Sequence, residues 1–112
     1  MIAQRLGVPV DVDIPDERLP AEIEASAYFI VAEALTNVVK HADATRVEVR
    51  GSVQDGILRV EVRDDGIGGA DPSRPGLVGM SDRAAALGGR LAVESPRNAG
   101  TIIVATLPIS AG

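Results

Sequence analysis

One stretch limits the architecture more than any other: from Ala21 to Ala42 the chain has neither glycine nor proline, and apolar residues return at helical spacing. Ile23, Ala27, Ile30/Val31, Ala34/Leu35 and Val38/Val39 fall on one side of a 3.6-residue repeat, which predicts a single long amphipathic helix. A helix of that length must cover its apolar stripe with another layer. The flanking sequence supplies strands for the purpose.

Val8 to Ile14 alternates so that Val8, Val10, Val12 and Ile14 share one face, and Pro9 restricts this segment to the edge of a sheet. Thr45 to Val53 and Ile57 to Val62 are β-branched and alternating, and Gln54-Asp55-Gly56 between them provides hairpin-turn chemistry. A second helix is expected over Leu77 to Leu87, ending at Gly88-Gly89, and a second strand pair over Arg90 to Glu94 and Thr101 to Leu107. The order strand, helix, hairpin, helix, hairpin implies an α/β two-layer sandwich, with a mixed, mostly antiparallel sheet and helices on one face. The other face is left open for a partner domain.

With 112 residues the chain can build one core, so residues 1–112 form a single domain. Its 46% hydrophobic content includes only one Tyr and one Phe, so that core is aliphatic. A net charge of -5 excludes a sequence-independent grip on nucleic acid, which depends on Lys and Arg neutralising phosphates. A small nucleotide remains admissible because a bound cation can offset its charge. There is no cysteine for disulfides or thiolate metal sites, no apolar run of about 18 residues to cross a membrane, and no signal-peptide shape at Met1 to Arg5. A monomeric cytoplasmic fragment without direct membrane contact is the expectation.

Three segments carry candidate chemistry. On the long helix, Glu33, Asn37 and Lys40/His41 recur about every four residues and so share a face. Asn37 offers a neutral hard oxygen for Mg2+, Glu33 can orient or deprotonate a nearby group, and Lys40 and His41 can meet phosphate oxygens. His41 is the sole histidine, which argues against zinc; a helix-end histidine is equally explained by the C-terminal dipole.

The second segment, Asp64-Asp65-Gly66-Ile67-Gly68-Gly69, puts carboxylates at a strand end and glycines where backbone can approach a flat ligand. Asp64 can accept a hydrogen bond from an amino group such as that of adenine. The third, Gly76-Leu77-Val78-Gly79-Met80, opens a helix whose free N–H groups suit phosphate. Singly, these are also what a wet helix face, an acidic turn and an ordinary helix start look like. No P-loop and no dinucleotide-binding glycine pattern is present, so a nucleotide site here has another design.

Taken in order, the three segments resemble the ATP-binding fold shared by gyrase, the ninety-kilodalton heat-shock chaperone, histidine kinases and MutL, the Bergerat-type fold. The run Tyr28 to Ala42, with Glu33, Asn37, Lys40 and His41 in register, is similar to the N box of sensor histidine kinases that pair with NarL-type response regulators. The resemblance implies ATP as ligand, Mg2+ on Asn37, Glu33 beside the attacking nucleophile, Lys40 and His41 facing the phosphates, and Asp64 reading the adenine amine. It further implies that Gly66 and Gly68 shape the base pocket, that Gly76, Leu77, Gly79 and Met80 form the second glycine box, and that Thr101 lies near the base.

The sequence departs from the pattern at Ala99, where glycine is frequent, and in the short lid Ala70 to Pro75. It also lacks a helix bearing the phospho-acceptor histidine. The implied function is donation of the γ-phosphoryl group to a histidine on a separate dimerisation domain, and from there to a response regulator. An anti-sigma-factor-type serine kinase and a non-catalytic nucleotide-binding module are the competing readings, and a gyrase-type ATPase clamp fits less well because it carries longer lids.

Overall fold

Asp55 and Gly56 both adopt positive φ, at 53° and 74°, and so close the tight turn their sequence predicts. On either side of them β2 (Val47–Gln54) and β3 (Ile57–Asp64) pair antiparallel, with Val53 opposite Leu58 and Val47 opposite Asp64. The computed structural model of the chain describes residues 10–14, 18–71 and 74–109; the side chains at 10, 41 and 42 are also outside the described set.

The second hairpin, β4 (Arg90–Glu94) and β5 (Thr101–Pro108), joins the first through an antiparallel β3–β5 pair in which Asp64 faces Thr101. The edge strand β1 (Val10–Asp13) lies parallel to β2, giving the five-stranded order β1-β2-β3-β5-β4. Val8, assigned to this strand from the alternation, lies outside the described residues.

Helices α1 (Ala21–Asn37) and α2 (Pro75–Ala86) pack against each other and against one face of the sheet. Leu58, Val60 and Val62 of β3 and Ile103, Ala105 and Leu107 of β5 point into this layer to meet Ile30, Ala34, Leu35, Leu77, Met80 and Ala84. The alternation of β3 puts Asp64 on this buried face too, at 8% exposure, which brings a carboxylate to the edge of the core. Between the helices, the Arg83 guanidinium stacks over the Phe29 ring at 4.3 Å.

The opposite face of the sheet, expected to await a partner domain, carries ion pairs along β2 and β3. Arg50 meets Glu48 at 3.5 Å, and Arg59 and Arg63 flank Glu61 at 3.2 and 3.7 Å. Such exposed pairs contribute at most about 1 kcal/mol each, but their charge keeps this face compatible with water.

The long helix differs from its expected form at its end. It is α-helical to Asn37 and then widens into a π-helical turn, Val38–Ala42, before Asp43 takes a left-handed conformation (φ 49°, ψ 43°). Asp is one of the few residues besides glycine that tolerate this geometry, so the helix stops without one. Since a π turn inserts one extra residue, Lys40 and His41 are not in α-helical phase with Glu33 and Asn37. Helix α2 begins two residues before its expected start because Pro75 occupies the first turn, where its missing N–H costs nothing. Gly88, at φ 79°, ends it as expected: its N–H donates to the Ala85 carbonyl and that of Gly89 to the Ala84 carbonyl.

Candidate functional site

A cavity of about 290 Å³ opens where the end of β3, the start of β5, the last turns of α1 and the first turn of α2 converge. Asn37, Asp64, Gly68, Leu77 and Thr101 line it, so five of the residues singled out from four separate sequence segments meet in one place. Ala34, Val62, Ile67 and Ile103 supply an apolar wall. A cavity with an apolar wall and a few polar groups has the character of a small-molecule site.

The base of this slot is built by the strands. Asp64 and Thr101 are register partners across β3 and β5. The Asp64 carboxylate accepts the Gly66 N–H at 2.8 Å, and the Thr101 backbone also favours its charged form. Burial is the largest influence on this group and pushes its pKa above the ordinary aspartate value, against the pull of the Gly66 and Thr101 backbone and with Asp65 adding a smaller upward push. A buried carboxylate that lines a cavity is a strong acceptor for a ligand N–H.

The adjacent Asp65 does different work. Its side chain accepts hydrogen bonds from the Thr45 hydroxyl, from the Thr45 N–H at 2.8 Å and from the Arg46 N–H at 3.1 Å, clamping the entry to β2. The Thr45 hydroxyl, followed by these backbone donors, holds its pKa below the ordinary value.

The loop after Asp64 is laced to the β4–β5 connection. Gly69 N–H donates to the Ser95 carbonyl at 2.7 Å, Asn98 N–H to the Ile67 carbonyl at 2.6 Å and Gly100 N–H to the Gly66 carbonyl at 3.0 Å. Two glycines are required by this close approach: a Cβ on Gly68 (φ 66°) would overlap the Pro96 carbonyl oxygen, and one on Gly100 (φ 75°) would overlap that of Asp64. Sequence reasoning missed Ser95, whose hydroxyl takes the Ala70 N–H at 2.9 Å and pairs with the Thr101 hydroxyl at 2.6 Å. A serine just past a strand carries no motif, so nothing in the chain order marked it.

The other end of the site is built by the helices. A Cβ on Gly76, in the first turn of α2, would stand 3.3 Å from Oε2 of Glu33 and 3.7 Å from Oδ1 of Asn37. The start of α2 therefore sits directly against this stretch of α1, bringing free N–H groups and a positive dipole end to the side chain of Asn37. Arg74, immediately before α2, also lines the cavity and was not singled out from the sequence.

The remaining sequence candidates lie outside the cavity lining. Glu33 is half-buried beside Gly76, Lys40 is exposed on the π turn, and Gly66 is buried at the loop root. Gly79 packs toward Phe29, its Cβ position 3.9 Å from the ring, and Met80 is fully buried in the core. The His41 side chain is outside the described set. Among the described residues no group of three or more His, Cys, Asp or Glu could hold a metal, so a cation here would take Asn37 plus oxygens of a ligand and water. That donor set suits Mg2+. No helix among the described residues is long and apolar enough to cross a membrane.

Known proteins share this fold and sequence pattern. Residues 22–111 match the family described as histidine kinase-, DNA gyrase B-, and HSP90-like ATPase. The chain is 36% identical over 98 residues to the signal transduction histidine-protein kinase/phosphatase DegS of Brevibacillus brevis, covering 84% of this chain and 25% of that protein. It is 37% identical over 99 residues to the oxygen sensor histidine kinase NreB of Staphylococcus carnosus, covering 84% and 28%. The chain thus spans about a quarter of the length of these relatives. The histidine kinase domain of the Erythrobacter litoralis EL346 blue-light activated kinase superposes with a TM-score of 0.83 at 29% identity, over 96% of this chain and 56% of that one. The chain belongs to the histidine kinase-, DNA gyrase B- and HSP90-like ATPase family, with the fold its sensor-kinase members carry.

Proposed function

We propose that this ATPase-family domain binds Mg2+-ATP and presents the γ-phosphoryl group to a histidine on a separate dimerisation domain of a cytoplasmic sensor kinase, which then phosphorylates a NarL-type response regulator. The carrying observation is that Asn37, Asp64 and Thr101, from three distant segments, line one cavity with Leu77 at the start of α2.

At about 290 Å³ the cavity is at the small end of ligand pockets, which run to roughly 1,000 Å³, so it suits the base while the phosphates extend outward. Asp64 accepts the adenine amine, and the glycine-rich loop lies along the base. The phosphates run toward the first turn of α2, where Gly76 leaves room against Glu33 and Asn37. Arg74, which lines the cavity, supplies positive charge toward that end, and the N-box resemblance assigns Lys40 and His41 to the phosphates as well.

The Asn37 amide oxygen would hold the metal, which would supply charge neutralisation for the leaving diphosphate. An imidazole nitrogen of the acceptor attacks the γ-phosphorus, the bond to the β,γ-bridging oxygen breaks, and ADP leaves. Glu33, beside Gly76, would orient that imidazole and take its proton. The domain's part is positioning and charge neutralisation.

Calorimetry with Mg2+-ATP tests the binding step, with saturable heat expected from the folded chain. Adding a phospho-acceptor domain in trans with γ-labelled ATP tests the transfer. Acid-labile, base-stable label on histidine is expected; label on serine, or no nucleotide binding by the folded chain, would overturn the reading.

A further inference from the structure

Two local costs meet at the end of α1. The π turn Val38–Ala42 departs from the favoured α-helical spacing, and Asp43, which bears a side chain, stands at φ 49°. Such geometry persists where surrounding contacts hold it. At the entry, the Val38 N–H is shared between the Ala34 and Leu35 carbonyls. The Thr36 hydroxyl donates to the Ala32 carbonyl at 2.9 Å, a back-bond of the kind that bends a helix.

At the exit, the holding contact comes from a distant segment. The β2–β3 ladder ends where Val47 faces Asp64. One residue further on, the exposed Asp65 side chain takes three donors from the chain that leaves the turn. Its Oδ1 accepts the Thr45 N–H at 2.8 Å and the Arg46 N–H at 3.1 Å, and its Oδ2 accepts the Thr45 hydroxyl. Between these bonds and Asp43, Ala44 packs against the core. A single carboxylate thus joins the exit of the turn to the end of the strand that carries Asp64.

Lys40 stands in the middle of this turn, exposed and out of α-helical phase with Glu33 and Asn37. Among the described residues no ion pair or hydrogen bond holds its side chain, so the shape of the turn sets what its ammonium can reach.

We infer that Asp65 is a positioning residue: by anchoring Thr45 and Arg46 it holds the π turn in the form that directs Lys40 to the phosphates of the nucleotide. This rests on the nucleotide reading above and deepens it, giving the neighbour of Asp64 a part in phosphate binding. An asymmetry follows from it. Although Asp65 adjoins a base-end residue in sequence, loss of its anchor impairs binding of the phosphates and spares binding of the base.

Titration calorimetry with Mg2+-ATP and with adenosine, alongside a thermal melt, compares Asp65→Ala, Asp65→Asn, Thr45→Val, Lys40→Ala and the combined Asp65→Ala, Lys40→Ala chain with the unaltered one. A hydrogen bond to a charged group corresponds to about a tenfold change or more, so Lys40→Ala should weaken ATP binding by about tenfold. Asp65→Ala loses part of that contact, and should weaken ATP binding by about three- to tenfold and adenosine binding by less than about twofold. With Lys40→Ala already present, the same substitution should cost less than about twofold, because its route to the phosphates is gone. Asp65→Asn keeps an oxygen for the two N–H groups and offers an NH2 to the Thr45 hydroxyl, so it should stay within about twofold of the unaltered chain for both ligands.

Equal losses for ATP and adenosine in Asp65→Ala would overturn the assignment, as would a folded Asp65→Ala chain that binds ATP normally. An ATP loss undiminished by Lys40→Ala overturns it too, as does an Asp65→Asn chain as impaired as Asp65→Ala. If Asp65→Ala does not fold, Thr45→Val removes one of the three donors and carries the same comparison, with about a two- to fivefold loss for ATP alone. An unaltered chain that is folded and binds neither ligand overturns the nucleotide reading itself.

Discussion

The two ends of the site are built on different principles. At the base end, Asp64, Thr101, the 65–70 loop and the β4–β5 connection are held by strand register and backbone hydrogen bonds, and Gly68 and Gly100 admit no side chain. At the phosphate end, Glu33, Asn37 and Lys40 project from a helix, and among the described residues no hydrogen bond fixes their side chains. Under the proposed function the contrast follows from what each end would meet. An adenine edge is small, neutral and directional, so a preformed acceptor can select it. A metal-triphosphate carries its own charge and ligating oxygens, and completes a site that offers one amide oxygen and a helix start.

The sharpest way to break this contrast is Asp64→Asn, which keeps the shape and reverses one contact. A hydrogen bond to a charged group is worth about 1.5–3 kcal/mol, so ATP affinity should fall by up to about 100-fold while the fold persists; an unchanged dissociation constant would remove Asp64 from the base end.

Gly100→Ala comes next and should damage stability and binding together. Positive φ costs of order 1–3 kcal/mol for a side-chain-bearing residue, and the overlap with the Asp64 carbonyl adds to it, so the melting temperature should drop by about 10 °C or more. If the drop is no larger than at an exposed site, the base end is not the rigid half.

Asn37→Ala should do the opposite. Alanine is the better helix former by about half a kcal/mol, so the melt should hold or rise, while the Mg2+-dependent part of ATP affinity falls by about tenfold. Titrations with and without Mg2+ separate the two; a loss independent of Mg2+ would move Asn37 to another role.

Dependence on pH distinguishes the neighbouring aspartates. Burial raises the pKa of Asp64, so its ionisation opposes folding: that contribution favours the native state at low pH and is lost as pH rises from the ordinary aspartate value through the raised one. Asp65 is lowered, so its contribution is present above the ordinary value and is lost as pH falls through its own. The gain in melting temperature of Asp64→Asn over the unaltered chain should therefore grow from about pH 4 toward neutrality. ATP affinity should weaken as acid protonates Asp64.

The smallest effect is expected between the helices. Arg83→Gln removes the stack on Phe29, worth about 0.5–1 kcal/mol at an exposed site, or a few degrees in the melt. Because α2 positions Gly76 against Asn37, a slight loss of metal-dependent affinity should accompany it, with base discrimination unaffected.

The amino-acid order alone determined the elements whose causes are local. The Gly/Pro-free run made α1, Asp55-Gly56 made the first hairpin, Gly88-Gly89 ended α2, and the apolar alternation of β3 and β5 selected the buried face. The same order marked Asn37, Asp64, Gly68 and Leu77 by residue type and spacing, and Thr101 through the family resemblance. Tertiary structure decided what depends on approach between distant segments. Ser95 became part of the site only because the β3–β5 register brings the 65–70 loop against the β4–β5 connection. Arg74 joined the cavity because α2 docks on α1, and Met80, read as part of a ligand-binding box, was drawn into the core by the same docking. The π turn after Asn37 likewise shifted Lys40 off the face that 3.6-residue spacing assigned it. Periodicity and turn chemistry act over a few neighbouring residues, whereas a cavity is defined by which side chains meet across the fold, and no local pattern encodes that.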